Sequence, residues 1–255
     1  MFTKMLVIST AIAALIIGAH ATGLVNLKAL PKELGLSDEI EHRYTIIAAD
    51  ITAGRENELG KDFDAIKKTV AKARLGDKIE IFLIHSRAES SQEAIFLAEM
   101  PEEPGPMGIA LTRAQKAASQ SFADCWNRSV KTLLGDKQIV QQTDLFGFLR
   151  FVSQKQLFRK ARKPVLILLT DAQQVGDGFN FERNIPDEHD LRKARELDLI
   201  ADLSGISVTM AGVTPTHNIS NAHWRRLQSW WRSYLKEAGA DVTTITSERS
   251  LLSRL

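Results

Sequence analysis

The sequence lacks most of the features that settle a function on their own. One cysteine, Cys125, stands in 255 residues. No disulfide can therefore close within the chain, and no cysteine-rich metal site can form. Neither sign of charge dominates: 33 basic side chains face 31 acidic ones, a formal net charge of +2. That balance removes the electrostatic case for nucleic acid as a partner. No apolar run reaches the ~18 residues of a clear membrane-spanning helix. There is no G-x-x-x-x-G-K-[ST] phosphate loop, no G-x-S-x-G nucleophile elbow and no H-E-x-x-H zinc motif. His217 and His223 are too loosely spaced for a helical ligand pair and read as surface residues. What remains is 44% hydrophobic and 25% charged, the composition of a folded protein whose length suits one large α/β domain or two small ones.

The N-terminus reads as a separate object. Lys4 is a small basic region, residues 5–18 are apolar except for Ser9 and Thr10, and Ala19-His20-Ala21 is an A-x-A cleavage pattern. This order is that of a secretory signal peptide over residues 1–21, with the mature chain starting near Thr22. The alternative is an uncleaved anchor, although the apolar stretch is shorter than the ~17 residues at the low end of spanning helices. Both readings place the protein outside the cytoplasm, in the periplasm or cell envelope, with membrane contact only through this segment if it is kept. Residues 22–42, with Pro31 and mixed charge, read as a tether to a domain over 43–255.

Within that domain, strand and helix signals alternate. Residues 44–49 (YTIIAA) are a short apolar run ending at Asp50, as in a strand buried on both faces. Leu59, Phe63, Ile66, Val70 and Ala73 recur every three or four positions, one helix face, and Gly76 stops it. Residues 78–85 and 94–100 are strands too close in sequence for a helical crossover and should pair antiparallel. Thr112 is expected to cap a helix carrying Ala118, Phe122, Trp126, Val130 and Leu133. Cys125 falls in that helix and is expected to be buried and inert. Thr143-Asp144 opens the next helix. Residues 165–169 (VLILL) form a strand ending in Thr170-Asp171, and 172–190 are a polar loop. Residues 191–203 read as helix, 206–213 as strand, 222–238 as a Trp-rich helix and 241–246 as a last strand. This order predicts an α/β fold: a three-layer domain whose mainly parallel central sheet has one short antiparallel strand and helices on both faces.

In an open parallel sheet, ligands collect at the carboxyl ends of the strands. The polar residues there are Asp50, Thr52, Thr143, Thr170 and Asp171. Two carboxylates and several hydroxyls make a hard, oxygen-only environment suited to Mg²⁺ or Mn²⁺. Each also has a plain structural reading: aspartate at a strand end caps loops, Thr143 is a good N-cap and Thr52 a turn residue.

This arrangement resembles the von Willebrand factor type A (vWA) family and its metal-ion-dependent adhesion site. There the pattern is D-x-S-x-S after the first strand, a threonine before a middle helix and an aspartate after the fourth strand, usually in T-D-G. Asp50, Thr52, Thr143 and Asp171 match. Gly54 stands where the second serine belongs, so one hydroxyl ligand is missing, and Ala172 replaces the glycine. The resemblance covers residues 43–246. It implies a vWA/Rossmann-like domain with a degenerate adhesion site and a non-enzymatic, protein-binding role in which the partner's carboxylate completes the coordination. By family analogy it also points to bacterial envelope or secretion assembly. The competing reading is a metal-dependent hydrolase or phosphatase with Asp50 as nucleophile, but enzymes of the haloacid-dehalogenase type need an aspartate where Thr52 stands.

The Trp-rich helix has three readings. In the helix over 222–238, Trp224, Leu227, Trp231 and Leu235 share a core face, while Trp230 falls off it near Arg226 and Tyr234. Trp230, Arg226 and Tyr234 are either a surface cation–π group or an exposed aromatic anchor for a protein partner; a surface for single-stranded nucleic acid is a third reading, weakened by the balanced charge and the export signal.

Overall fold

The computed structural model describes residues 42–52, 54–86, 93–136, 141–213 and 220–250. The apolar N-terminal segment, the tether before residue 42 and His217 lie outside these residues. Among the described residues no helix is long and apolar enough to cross a membrane.

The first strand, β1 (Arg43–Asp50), is followed by α1 (Glu56–Ala71), β2 (Lys78–Ile84) and β3 (Phe96–Glu99). A single 3₁₀ turn, Pro106–Gly108, leads into α2 (Ile109–Leu134). Then come α3 (Leu145–Gln154), the short α4 (Gln156–Arg159) and β4 (Lys163–Leu169). A two-residue hairpin, β5 (Val175–Gly176) and β6 (Phe179–Asn180), precedes α5 (Glu188–Glu196). The chain closes with β7 (Ser207–Ala211), α6 (Asn221–Glu237) and β8 (Asp241–Thr246). The six longer strands form one sheet in the order β3-β2-β1-β4-β7-β8. All its neighbours run parallel except β2 and β3. The α/β fold class expected from the alternating pattern is the one observed.

The sheet is an apolar wall with two faces because successive side chains point to opposite sides. Ile46, Ala48, Leu166 and Leu168 belong to one core, beneath α3, α5 and α6. Ile47, Ala49, Val165, Ile167 and Leu169 belong to the other, beneath α1 and α2. Burial on both faces is why β1 and β4 read as unbroken apolar runs.

Several boundaries differ from the sequence reading, each for a local reason. Thr112 is not a cap: α2 begins at Ile109 after Gly108, whose φ of +73° breaks the preceding turn, and Thr112 Oγ1 donates back to the Gly108 carbonyl. Asp144, not Thr143, caps α3 by accepting from Gly147 N. The helix expected from 191 starts at Glu188, because Asp187 and Asp190 form a reciprocal capping box. It ends at Glu196, before Asp198 turns to φ +55°. The polar loop after Asp171 contains the β5–β6 hairpin, and Cys125 is only half-buried. His223, read as a surface residue, is buried with Nε2 3.0 Å from the Phe181 carbonyl.

The largest correction concerns Trp230 and Tyr234, which form no surface anchor. Trp230 is 5% exposed and Tyr234 fully buried, and Arg226 alone of the three is exposed. Helical periodicity misplaced Trp230 because α6 is covered on a second side by the β5–β6 hairpin. Phe181, just after that hairpin, meets the Trp230 ring edge-on at 4.7 Å, with Phe146, Trp231 and Tyr234 around it. The Tyr234 hydroxyl donates to the Leu199 carbonyl and accepts from Ala201 N, satisfying its polar end. Trp230→Ala should therefore lower the unfolding free energy by ~3–5 kcal/mol, the range for large buried aromatics. A chemical-denaturation loss within ~0.5 kcal/mol, as for a surface site, would contradict this packing.

Candidate metal and partner site

Parallel pairing brings the carboxyl ends of β1 and β4 side by side, with Ala49 opposite Leu169. Asp50 and Asp171 therefore emerge at the same edge. Asp50 is fully buried and both its oxygens are occupied. Oδ1 accepts from Thr52 N at 3.0 Å and Thr52 Oγ1 at 2.7 Å. Oδ2 accepts from Thr170 Oγ1 at 2.7 Å. Thr52 Oγ1 is also 2.7 Å from Thr143 Oγ1, which reaches in from the loop before α3. Asp50, Thr52 and Thr143 are thus drawn into one hydrogen-bonded cluster. Asp171 joins by field rather than by direct contact. It is half-buried, and its Oδ1 accepts from Gln173 N.

The electrostatics show how crowded the edge is. Desolvation first, and then the Asp50 charge, push the Asp171 carboxyl up to about 6; Arg55 and the Gln173 N–H act against the shift, and Glu182 adds to it. Arg55 carries no motif that marks it in the sequence, yet it is 3% exposed beside the site. Its Nε donates to the Asp50 carbonyl at 3.1 Å and a terminal nitrogen to Asp62 Oδ2 at 2.7 Å. Burial works against its charge, but Asp50, Asp62 and Asp171 outweigh that and hold its pKa above the usual arginine value. Asp62 accepts in turn from Arg249 Nε, and Arg249 pairs with Glu58 at 3.0 Å.

Two guanidinium groups, Arg55 and Arg249, thus stand among four carboxylates, Asp50, Asp62, Asp171 and Glu58. Glu58 is paired as well with Lys61 at 2.8 Å, so the negative charge left at this edge is that of Asp50 and Asp171 shared with Arg55. Among the described residues no group of three or more His, Cys, Asp or Glu side chains is placed to hold a metal. A cation at this edge would rest on two carboxylates and on hydroxyl oxygens, a donor set that suits Mg²⁺ or Mn²⁺, which keep waters in their shell. The residues present fit that group.

The loops are held by contacts the sequence patterns did not flag. Val175 N donates to the Thr143 carbonyl at 3.2 Å. Gln174 Oε1 accepts from Leu145 N at 2.7 Å, closing the start of α3 beside Thr143. Ala172 sits at φ +67°, in the place where the family pattern has glycine, and Trp231 Nε1 donates to its carbonyl at 2.8 Å. That indole pins a backbone conformation an alanine rarely adopts. Gly54 is exposed at φ +92°, and a Cβ added there would meet nothing within 4 Å. A serine there has room but is strained, so the missing hydroxyl is not restored by simple replacement.

The raised Asp171 pKa carries a sign. In the folded protein this carboxyl holds a proton that the unfolded chain, with an ordinary aspartate value of 3.8, releases earlier. The group's contribution is favourable below pH ~4 and is lost as pH rises through about 6. In metal-free buffer, Asp171→Asn should therefore gain stability relative to wild type as pH climbs from 4 to 7, measured by urea unfolding at each pH. A difference that stays flat across that window would mean that Asp171 does not feel Asp50.

No family model matches the sequence, and no curated protein matches it. Among solved structures, an aerotolerance-related membrane protein from Bacteroides fragilis is 12% identical with a TM-score of 0.41, covering 83% of this chain and 94% of that one. A von Willebrand factor type A protein from Catenulispora acidiphila is 14% identical with a TM-score of 0.38, covering 84% of this chain and 41% of that one. Proximal thread matrix protein 1 of the mussel byssus, in a structure with a zinc-occupied adhesion motif, is 13% identical with a TM-score of 0.40, covering 84% and 43%. The chain spans nearly all of the first and less than half of the other two. The sheet order with its antiparallel edge strand and the helices on both faces are those of the three-layer α/β domain that the von Willebrand factor type A resemblance implied.

Proposed function

We propose that the chain is an exported, non-enzymatic interaction module that binds a protein partner at the carboxyl edge of its sheet through a divalent cation. The observation that carries the reading is the convergence of Asp50, Thr52 and Thr143 in one hydrogen-bonded cluster, with Asp171 raised in pKa at the same edge. Asp50 and Asp171 would hold the cation, and Thr52 and Thr143 would contribute hydroxyl oxygens directly or through water. When bound, the cation supplies a Lewis-acidic position that accepts a carboxylate from an acidic partner residue. Arg55 and Arg249 stiffen the floor of the site, because Asp62 between them ties α1 to the chain after β8. The export reading rests on the A-x-A pattern after residues 5–18, and with it the placement in a bacterial periplasm or envelope, serving assembly or secretion.

The hydrolase reading with Asp50 as nucleophile is less well supported. Enzymes of the haloacid-dehalogenase type pair the nucleophilic aspartate with a second aspartate two residues on, and Thr52 stands in that place.

The test is thermal. Millimolar Mg²⁺ or Mn²⁺ should raise the melting temperature of the wild type, since a ligand at 100 times its dissociation constant adds ~2.7 kcal/mol. Asp171→Ala should abolish the response while leaving the metal-free protein no less stable, because it relieves like-charge repulsion from Asp50. Thr52→Ser keeps the hydroxyl and should leave the response intact. A melting temperature indifferent to both cations would remove the metal from this proposal. Capture of the partner that persists in a chelator would then assign binding to the surface alone.

Since Asp171 must lose its proton to bind a cation, the metal-induced shift should also shrink as pH falls below about 6. Repeating the thermal titration at pH 5 and pH 7.5 checks this. An unchanged shift at the lower pH would place the cation away from Asp171.

A further inference from the structure

We propose that Arg55 keeps the cation site one negative charge short, so that a divalent cation is held firmly there only together with a carboxylate from the partner. The inference rests on the cation reading above and adds the residue that makes a carboxylate obligatory.

Arg55 is a positive charge built into the wall of the site. It follows the turn out of β1 and is 3% exposed. Its Nε donates to the Asp50 carbonyl at 3.1 Å, so the guanidinium reaches the strand end that bears the candidate ligand. A terminal nitrogen donates to Asp62 Oδ2 at 2.7 Å, and Asp62 is fully buried in α1. Paired with Asp62 alone, Arg55 would be neutralised. Asp62, however, also accepts from Arg249, so one carboxylate serves two guanidinium groups. The other partner of Arg249, Glu58, is itself paired with Lys61. The share of the Arg55 charge that Asp62 does not cancel falls on Asp50 and Asp171. Burial works against that charge, but Asp50, Asp62 and Asp171 together sustain it. An arginine does not shed its proton to relieve the crowding.

Within this network four carboxylates, Asp50, Asp62, Asp171 and Glu58, meet three cations, Arg55, Arg249 and Lys61, which leaves one negative charge in excess. A divalent cation beside Asp50 and Asp171 therefore leaves one positive charge unmatched, and an unmatched charge is costly where water is scarce. The neighbouring acids are placed otherwise. Glu56 and Asp144 accept from Gly54 N and Gly147 N. Glu182 acts on Asp171 but is exposed, so solvent and salt screen it.

A carboxylate from outside supplies the missing charge. Cation and carboxylate then bind cooperatively, each raising the affinity of the other by the same factor. Without Arg55 the same edge would hold a divalent cation at full neutrality and gain little from a further anion. The partner this selects presents an acidic side chain, and a neutral amide does not replace it.

The experiment is Mn²⁺ titration of the full chain at pH 7.5, followed by electron paramagnetic resonance, in acetate or in chloride at equal ionic strength. Acetate stands in for the partner's carboxylate. In the wild type, about 0.2 M acetate should tighten Mn²⁺ binding at least ~fivefold, referred to free Mn²⁺. Arg55→Met should tighten binding in chloride at least ~tenfold and shrink the acetate effect to roughly twofold or less. Arg55→Lys keeps the charge and should keep the acetate effect. Asp62→Asn removes a carboxylate that draws on Arg55, so it should weaken binding in chloride and leave the acetate effect at least as large. That variant carries the test if Arg55→Met does not fold. Lys68→Met, an exposed charge on the same helix, should have little effect. Two results overturn this inference while the cation reading stands: Mn²⁺ binding that acetate does not strengthen, or an acetate effect that Arg55→Met and Asp62→Asn leave unchanged, as for a purely structural ion pair. Absence of Mn²⁺ binding in the wild type and every variant, in either salt, overturns both.

Discussion

The site depends on one buried carboxylate. Asp50 ends a strand with no exposed surface, so its oxygens need donors from the protein in place of water. Thr52 and Thr170 supply them, and Arg55 supplies compensating charge from the other side of the backbone. Each partner fixes a different piece of chain: Thr52 the turn out of β1, Thr170 the end of β4, and Arg55 the start of α1. Remove Asp50, and the three segments lose the group that gathers them.

From that gathering point the constraint spreads outward. Thr143 is held to Thr52 by hydroxyl contact and to the β5–β6 region through Val175 and Gln174. Asp171 is held by the turn it begins, and that turn is pinned by the Trp231 indole on the Ala172 carbonyl. The aromatic cluster of Phe146, Phe181, Trp230, Trp231 and Tyr234 is therefore the support of the site. A rigid second layer of this kind is what keeps converging oxygens in place before a ligand arrives.

Parallel topology decides which polar groups can meet. Because five of six strands run the same way, the carboxyl ends of β1, β4 and β7 share one edge, and this brings Asp50, Thr170 and Asp171 together although they are far apart in the chain.

The fold class was legible in the sequence because buried parallel strands leave unbroken apolar runs, as at 44–49 and 165–169, and because a short gap forces β2 and β3 to pair antiparallel. That Asp50 and Asp171 end β1 and β4 at one edge was legible because the first polar residue after an apolar run marks a strand end, and Thr143 was placed by the capping pattern before α3. Arg55 was not, since an arginine after a turn looks like any solvated surface residue until α1 folds back and buries it between Asp50 and Asp62. Trp230 was misplaced for the same kind of reason: periodicity reports one packed face of a helix, and α6 is packed on two. Local pattern determined which elements form and where polar groups end them. Only tertiary packing decided which charges are buried together, because burial depends on contacts between segments far apart in the chain.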